Sequence, residues 1–228
     1  MLIQSLSFYQ RISNSDNMDI PDSDCYIFDI DGTLTHYVDL NPSTFLHDNF
    51  LFPIFRDMLV TQGYSRTEAE NAIAQVIRNV PFWDYPDFSS AFGLPARKVW
   101  ERMWTWHLKH TAPYENAVSL VHALYDAGKT LVIVSNNPYT GCLMKLKRCG
   151  LADEFGSSVF KRIFGTDKLR GCKGEPGVWQ RALDQIPCDP TRICTIGDNP
   201  TEDGEIPRSF GVGHFLFLDS ARIACGSE

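Results

Sequence analysis

The segment Cys25-Tyr26-Ile27-Phe28-Asp29-Ile30-Asp31-Gly32-Thr33-Leu34-Thr35 constrains the chain most, because an apolar run readable as one buried strand stops at two aspartates spaced i, i+2. That spacing puts both carboxylates on one side of a strand tip. Gly32 follows at once and lets the backbone turn sharply, so the pair stands at the strand's carboxyl end, where open α/β sheets bind their ligands. Carboxylates held this close repel each other unless a cation or a shared proton relieves them. The pair is a candidate for Mg²⁺ binding, for general acid chemistry, or for both.

With 228 residues, 43% of them hydrophobic, the chain can bury a full core and has room for one domain with a sizeable insertion or for two small domains. The net charge of −7 and the lack of a long basic run argue against nucleic acid as a partner. The short basic piece Lys145-Leu146-Lys147-Arg148 reads as a solvated helix face. Seven cysteines, an odd number without a C-x-x-C pair, fit free thiols in a reducing compartment. No basic stretch followed by an apolar one opens the chain, and no apolar run reaches the length of about 18 residues that a membrane span requires. A cytoplasmic protein without a membrane partner is expected.

Residues 1–22, rich in Ser, Asn, Asp and Gln, read as a weakly ordered leader, within which Met18 is a candidate internal start. Beyond Thr35 the period changes to that of helices. Phe45, Leu46, Phe50, Ile54, Phe55, Met58 and Leu59 form one stripe, and Ala69, Ile73, Val76, Ile77 and Val80 another, with Ser65 and Glu68 as its capping box. An aromatic turn spans Pro81 to Pro86, and a third helical pattern carries Val99, Trp100, Met103 and His107. From Pro113 helices alternate with strands: helix at Ala117 to Ala127, strand at Thr130 to Ser135, helix at Tyr139 to Cys149, and strand at Ser158 to Phe164. A helix near Gly177 to Gln185 and strands at Arg192 to Ile196 and His214 to Leu218 follow. This alternation predicts an α/β fold, a Rossmann-like parallel sheet core over 23–35 and 113–228, with an inserted α-helical cap over 36–112.

Four short motifs fall at or just past predicted strand ends: Asp29-Ile30-Asp31-Gly32-Thr33, Val134-Ser135-Asn136-Asn137, Lys173-Gly174-Glu175-Pro176, and Ile196-Gly197-Asp198-Asn199-Pro200-Thr201-Glu202-Asp203. In a parallel sheet these loops converge on one crevice. Together, over roughly residues 25 to 218, they resemble the haloacid dehalogenase (HAD) superfamily, and the helical block resembles its type 1 cap. The resemblance implies a Mg²⁺-dependent phosphatase acting on a small phosphorylated metabolite. Asp29 would be the nucleophile that becomes an aspartyl phosphate, and Asp31 the general acid and base. For the first step Asp31 must be protonated, and burial beside Asp29 would raise its pKa. Ser135 and the Asn136 N–H would hold the phosphoryl oxygens, and Lys173 would neutralise the charge gathered there. Asp29, the backbone carbonyl of Asp31 and Asp198 would bind Mg²⁺, with Asp203 supporting the metal or Lys173 from behind.

Two departures from the family pattern stand out: Gly174 occupies the place of the usual proline after the lysine, and Lys168 competes with Lys173 for the lysine's role. The helix start after Lys173 favours the latter. Other readings stay open. D-x-D-G-T alone is also turn chemistry, and Ser135, Lys173, Asp198 and Asp203 taken singly are ordinary strand-end or surface residues. His107 and His110 lack a visible third ligand and read as a helix face rather than a metal site. Most of the aromatics between Trp83 and Trp106 read as cap core, with Trp83 and Tyr85 as pocket candidates. Arg56, Arg66, Arg97 and Arg102 either meet a second anionic group or solvate the cap. A phosphomutase or a phosphate-binding protein without turnover would carry the same motifs, whereas Asp31 and Asp198 count against a dehalogenase. The motifs leave oligomeric state open.

Overall fold

The computed structural model describes residues 20–38 and 52–218. The leader, Met18, the start of the first helical stripe and Cys225 lie wholly or mostly outside the described residues.

Strand β1 (Cys25–Phe28) forms because its side chains alternate between two separate cores: Tyr26 and Phe28 face one, Cys25 and Ile27 the other. A strand buried on both faces belongs inside a parallel sheet. β1 pairs in parallel with β4 (Thr130–Val134) on one side and β6 (Ile193–Gly197) on the other. β5 (Arg162–Phe164) and β7 (His214–Phe217) extend the sheet to the order β5-β4-β1-β6-β7. Helices α5 (Glu115–Asp126) and α6 (Tyr139–Arg148) cover one face, and α7 (Thr166–Leu169) with α8 (Val178–Leu183) the other. This is the expected α/β parallel sheet.

A short antiparallel ribbon, β2 (Thr35–Tyr37) with β3 (Thr111–Pro113), pairs Thr35 with Pro113 where the chain leaves and rejoins the core. Between these strands the described elements are helices: α1 (Phe52–Thr61), α2 (Arg66–Asn79), α3 (Tyr85–Ala91) and α4 (Ala96–His110). They enclose a third core of Phe55, Leu59, Ile73, Phe88, Val99 and Met103, to which α6 contributes Met144. Gly141 has no side chain where the Tyr85 hydroxyl lies, so the helical block packs closely on α6.

Three local expectations are corrected. The aromatic turn at 81–86 runs into helix α3, because Asp84 caps it and Pro86 sits in the first turn, where a missing N–H costs nothing. The strand expected over Ser158 to Phe164 is only Arg162–Phe164: Ser158 makes an isolated antiparallel bridge to Ala152, and Phe160 packs edge-on against Phe28. Lys145 is no solvated residue; its side chain has 0% exposure. The six described cysteines are all free thiols.

Candidate active site

The carboxyl ends of β1, β4 and β6 meet at one crevice, because β1 lies between the other two. Asp29 follows β1 directly and is 7% exposed; its N–H donates to the Ile196 carbonyl at 2.9 Å, tying the tip of β1 to that of β6. Lys173 Nζ donates to Asp29 Oδ1 at 2.7 Å and to Asp203 Oδ1 at 2.7 Å. Lys168 instead lies over the Tyr139 ring beside Asp167. Buried Ser135 follows β4, and its hydroxyl accepts from the Asn137 backbone N–H at 3.2 Å and side-chain amide at 2.8 Å. Asn136 accepts from the Lys173 N–H at 2.8 Å and donates to Glu202 at 2.8 Å, so the second and third motifs are joined.

Asp198 follows β6, and a π-helix over Pro200–Glu205 carries Asp203 back beneath it. Asn199 starts that turn by accepting from the N–H groups of Thr201 and Glu202. Two glycines permit the close approach: a Cβ on Gly32 would collide with the Asp198 carboxylate, and one on Gly197 with that of Asp203. Gly32 also has a φ of +79°.

Carboxylate oxygens of Asp29, Asp198 and Asp203 lie within 4.8 Å of one another. Burial raises the pKa of Asp29 against the pull of Lys173, and Asp203 and Asp31 push it further. Burial, then Asp203, raises Asp198 too. Both carboxylates thus sit where burial disfavours their charge and a cation would favour it. A set of hard oxygen donors in that setting fits Mg²⁺, which takes carboxylate and carbonyl oxygens together with water.

Asp31 differs from its expectation. Burial alone would raise it, but Lys145 and hydrogen bonds from Asn137 and Tyr37 outweigh burial and hold the carboxyl below the ordinary carboxylate range. Lys145 Nζ contacts Asp31 Oδ1 at 2.6 Å and Oδ2 at 2.7 Å, Tyr37 OH at 2.8 Å and Asn137 Oδ1 at 2.9 Å. The Asn137 amide donates to Asp31 Oδ2 at 2.6 Å. The Asp31 side chain thus turns towards α6.

The sequence alone assigns no role to Lys145, Tyr37, Asn137 or Glu202. For Lys145 a signal existed: it shares the buried stripe of Gly141, Cys142 and Cys149, at helical spacings of three and four residues. His107 is buried in the helical block. Tyr85 and Trp100 line a cavity of about 270 Å³ against Thr140 of α6, while Trp83 packs on Tyr85 and Phe88. Arg56 and Arg66 pair with Glu70, and Arg97 with Glu101.

The strand ends of a parallel α/β sheet thus gather four aspartates and two buried lysines, Lys145 and Lys173, in one crevice. The chain belongs to the haloacid dehalogenase-like hydrolases, whose family model matches residues 24–211. It is similar to the pyrophosphatase PpaX of Halalkalibacterium halodurans, 26% identical over 181 residues that make up 76% of this chain and 74% of that one. Among solved structures it is similar to a HAD phosphatase from Thermococcus onnurineus, with a TM-score of 0.52, 23% identity and coverage of 85% of each chain. It is also similar to a HAD family enzyme of Bacteroides thetaiotaomicron, solved as an aspartate-to-alanine variant with magnesium and inorganic phosphate. That pair has a TM-score of 0.53 and 12% identity over 86% of this chain and 95% of that one. The two structural likenesses establish the shared fold.

Proposed function

We propose that the chain is a Mg²⁺-dependent phosphatase that hydrolyses a small phosphomonoester through an aspartyl phosphate on Asp29. The observation that carries this reading is the Asp29 carboxylate, held at a strand tip by Lys173 at 2.7 Å with the oxygens of Asp198 and Asp203 within 4.8 Å. Asp29 Oδ2, which accepts from the Thr33 hydroxyl at 3.5 Å, would attack phosphorus. Lys173 keeps a fixed positive charge beside the attacking carboxylate and the incoming phosphoryl group. The Ser135 hydroxyl and the Asn136 N–H would hold phosphoryl oxygens, and Asp31 would move the proton. Asp29, Asp198 and the carbonyl of Asp31 would hold Mg²⁺, which when bound offsets the negative charge of carboxylates and phosphate. The helical block over 36–112 would act as the cap that keeps water out during transfer. A cytoplasmic location and phosphorylated metabolites as partners belong to the same reading; among the described residues no helix is long and apolar enough to cross a membrane.

One observation favours a second substrate class. Asp31 is held as a carboxylate by Lys145, a form that accepts a proton from water but has none to give a leaving alkoxide. A phosphoanhydride, whose leaving phosphate is a stable anion, needs no such proton, and the pyrophosphatase relative points the same way. Initial rates of phosphate release from glycerol 2-phosphate, whose leaving alkoxide needs a proton, and from pyrophosphate, with Mg²⁺, with EDTA and with Asp29→Asn, test both readings. Release that requires Mg²⁺ and Asp29 supports the mechanism, and the ratio of the two rates selects the class. Full activity in Asp29→Asn would sink the mechanism.

A further inference from the structure

We propose that Lys145 is a positioning residue for catalysis, which sets the orientation of the Asp31 carboxylate from helix α6. The proposal rests on the phosphatase reading for its kinetic consequence and on geometry for its structural one.

An ammonium group has three protons to donate, and here four acceptors converge on it within 2.9 Å: both Asp31 oxygens, the Tyr37 hydroxyl and the Asn137 carbonyl oxygen. Three of the partners are themselves tied together. The Asn137 amide donates to Asp31 Oδ2 and to Ser135 Oγ, so the same network reaches the residue assigned to the phosphoryl oxygens. Tyr37, which also hydrogen-bonds Asp31, lies on the ribbon strand β2, and its ring meets the edge of Trp106 from α4 at 6.4 Å. Asp31 is thus gripped from the core helix α6, from the loop after β4 and from the ribbon. Its two oxygens cannot rotate without breaking contacts on each.

A buried ion pair contributes little net stability, because desolvation offsets most of its attraction, so stability alone is a poor reason to place a lysine on an apolar helix stripe. Orientation is a better one. A proton-moving carboxylate must lie within hydrogen-bond reach of the reacting oxygen, and a displacement of about 1 Å there costs on the order of 10²-fold in rate.

The test uses full-length protein in four forms: wild type, Lys145→Met, Asp31→Asn and the double variant. Crystal structures of wild type and Lys145→Met judge the geometry without any assay. The proposal expects the Asp31 carboxylate to leave its wild-type orientation, and an unchanged orientation overturns it. Kinetics on p-nitrophenyl phosphate and pyrophosphate judge the consequence. Lys145→Met should lower kcat by roughly 10²-fold with KM within about twofold, and should cost nothing further in the Asp31→Asn background. Equal losses in both backgrounds would mean that Lys145 does not act through Asp31. If Lys145→Met does not fold, Tyr37→Phe replaces it: a loss of about fivefold in kcat that disappears in the Asp31→Asn background supports the proposal, and an additive loss rejects it. A wild type that releases no phosphate overturns the functional reading instead, while the crystallographic comparison still decides the role of Lys145.

Discussion

Single residues carry most of the site's chemistry, and Gly32 shows how narrow the tolerances are. Its φ of +79° and the Asp198 carboxylate in the space of a Cβ leave no room for a side chain. Gly32→Ala should destabilise the protein by about 1–3 kcal/mol and lower Mg²⁺ affinity, as urea melts and calorimetric titration would measure. Lys173 is 3% exposed between Asp29 and Asp203. Its replacement by Met strands two buried carboxylates, so a stability loss of about 3–5 kcal/mol is expected together with loss of phosphate release. A Lys173→Met protein that melts like wild type would refute that account. Asp29, Ser135 and Asp198 could be read from the sequence because each ends or follows an apolar run whose period is plain, and Lys173 because a helix pattern starts after it. Lys145 is masked by the charges of Lys147 and Arg148 beside it, which make the whole piece look solvated. Its spacing of three and four residues from Gly141, Cys142 and Cys149 is a local hint, and the sheet beneath α6 decides that this stripe faces inward.

At the level of elements, caps and buried polar groups tie the helical block to the core. Asp84 caps α3 and also accepts from the backbone N–H of Thr140, at 3.2 Å, and from its hydroxyl, at 2.7 Å, in the first turn of α6. Asp84→Ala should cost about 1–2 kcal/mol in a denaturant melt, whereas a loss below a few tenths would show that neither cap matters. His107 on α4 adds a pH dependence. Burial, then Lys145, pushes its pKa from 6.5 down to about 3, so on acidification the unfolded chain takes up a proton that the fold refuses. Stability should therefore fall by about 2 kcal/mol between neutral pH and pH 5 on this account, and His107→Leu should remove that share of the slope. An identical slope in both proteins would exclude His107 as its source. The strands and longer helices were legible as periodic runs. Helix α3 was hidden by Pro86 within it and Pro81 before it, and the β2–β3 ribbon, three residues a side, is too short to show a period.

On the scale of the whole molecule, the sheet order places β1 between β4 and β6, and this arrangement turns motifs more than a hundred residues apart in the chain into one site. A cation bound there should stabilise the fold it completes. Saturating Mg²⁺ is expected to raise Tm by roughly 5–10 °C, a shift that Asp198→Asn should abolish. A Tm indifferent to Mg²⁺ would speak against Asp29 and Asp198 as its ligands. The fold class was legible because helices and strands alternate after Pro113, while the packing of the helical block on α6 was not, since it depends on Gly141 and Tyr85 meeting across the chain. The pairing of Thr35 with Pro113 has one more consequence. The intervening helices hang from the sheet as a cassette whose two ends are stitched side by side, so another segment with matching ends could be grafted between them without moving β1, β4 or β6.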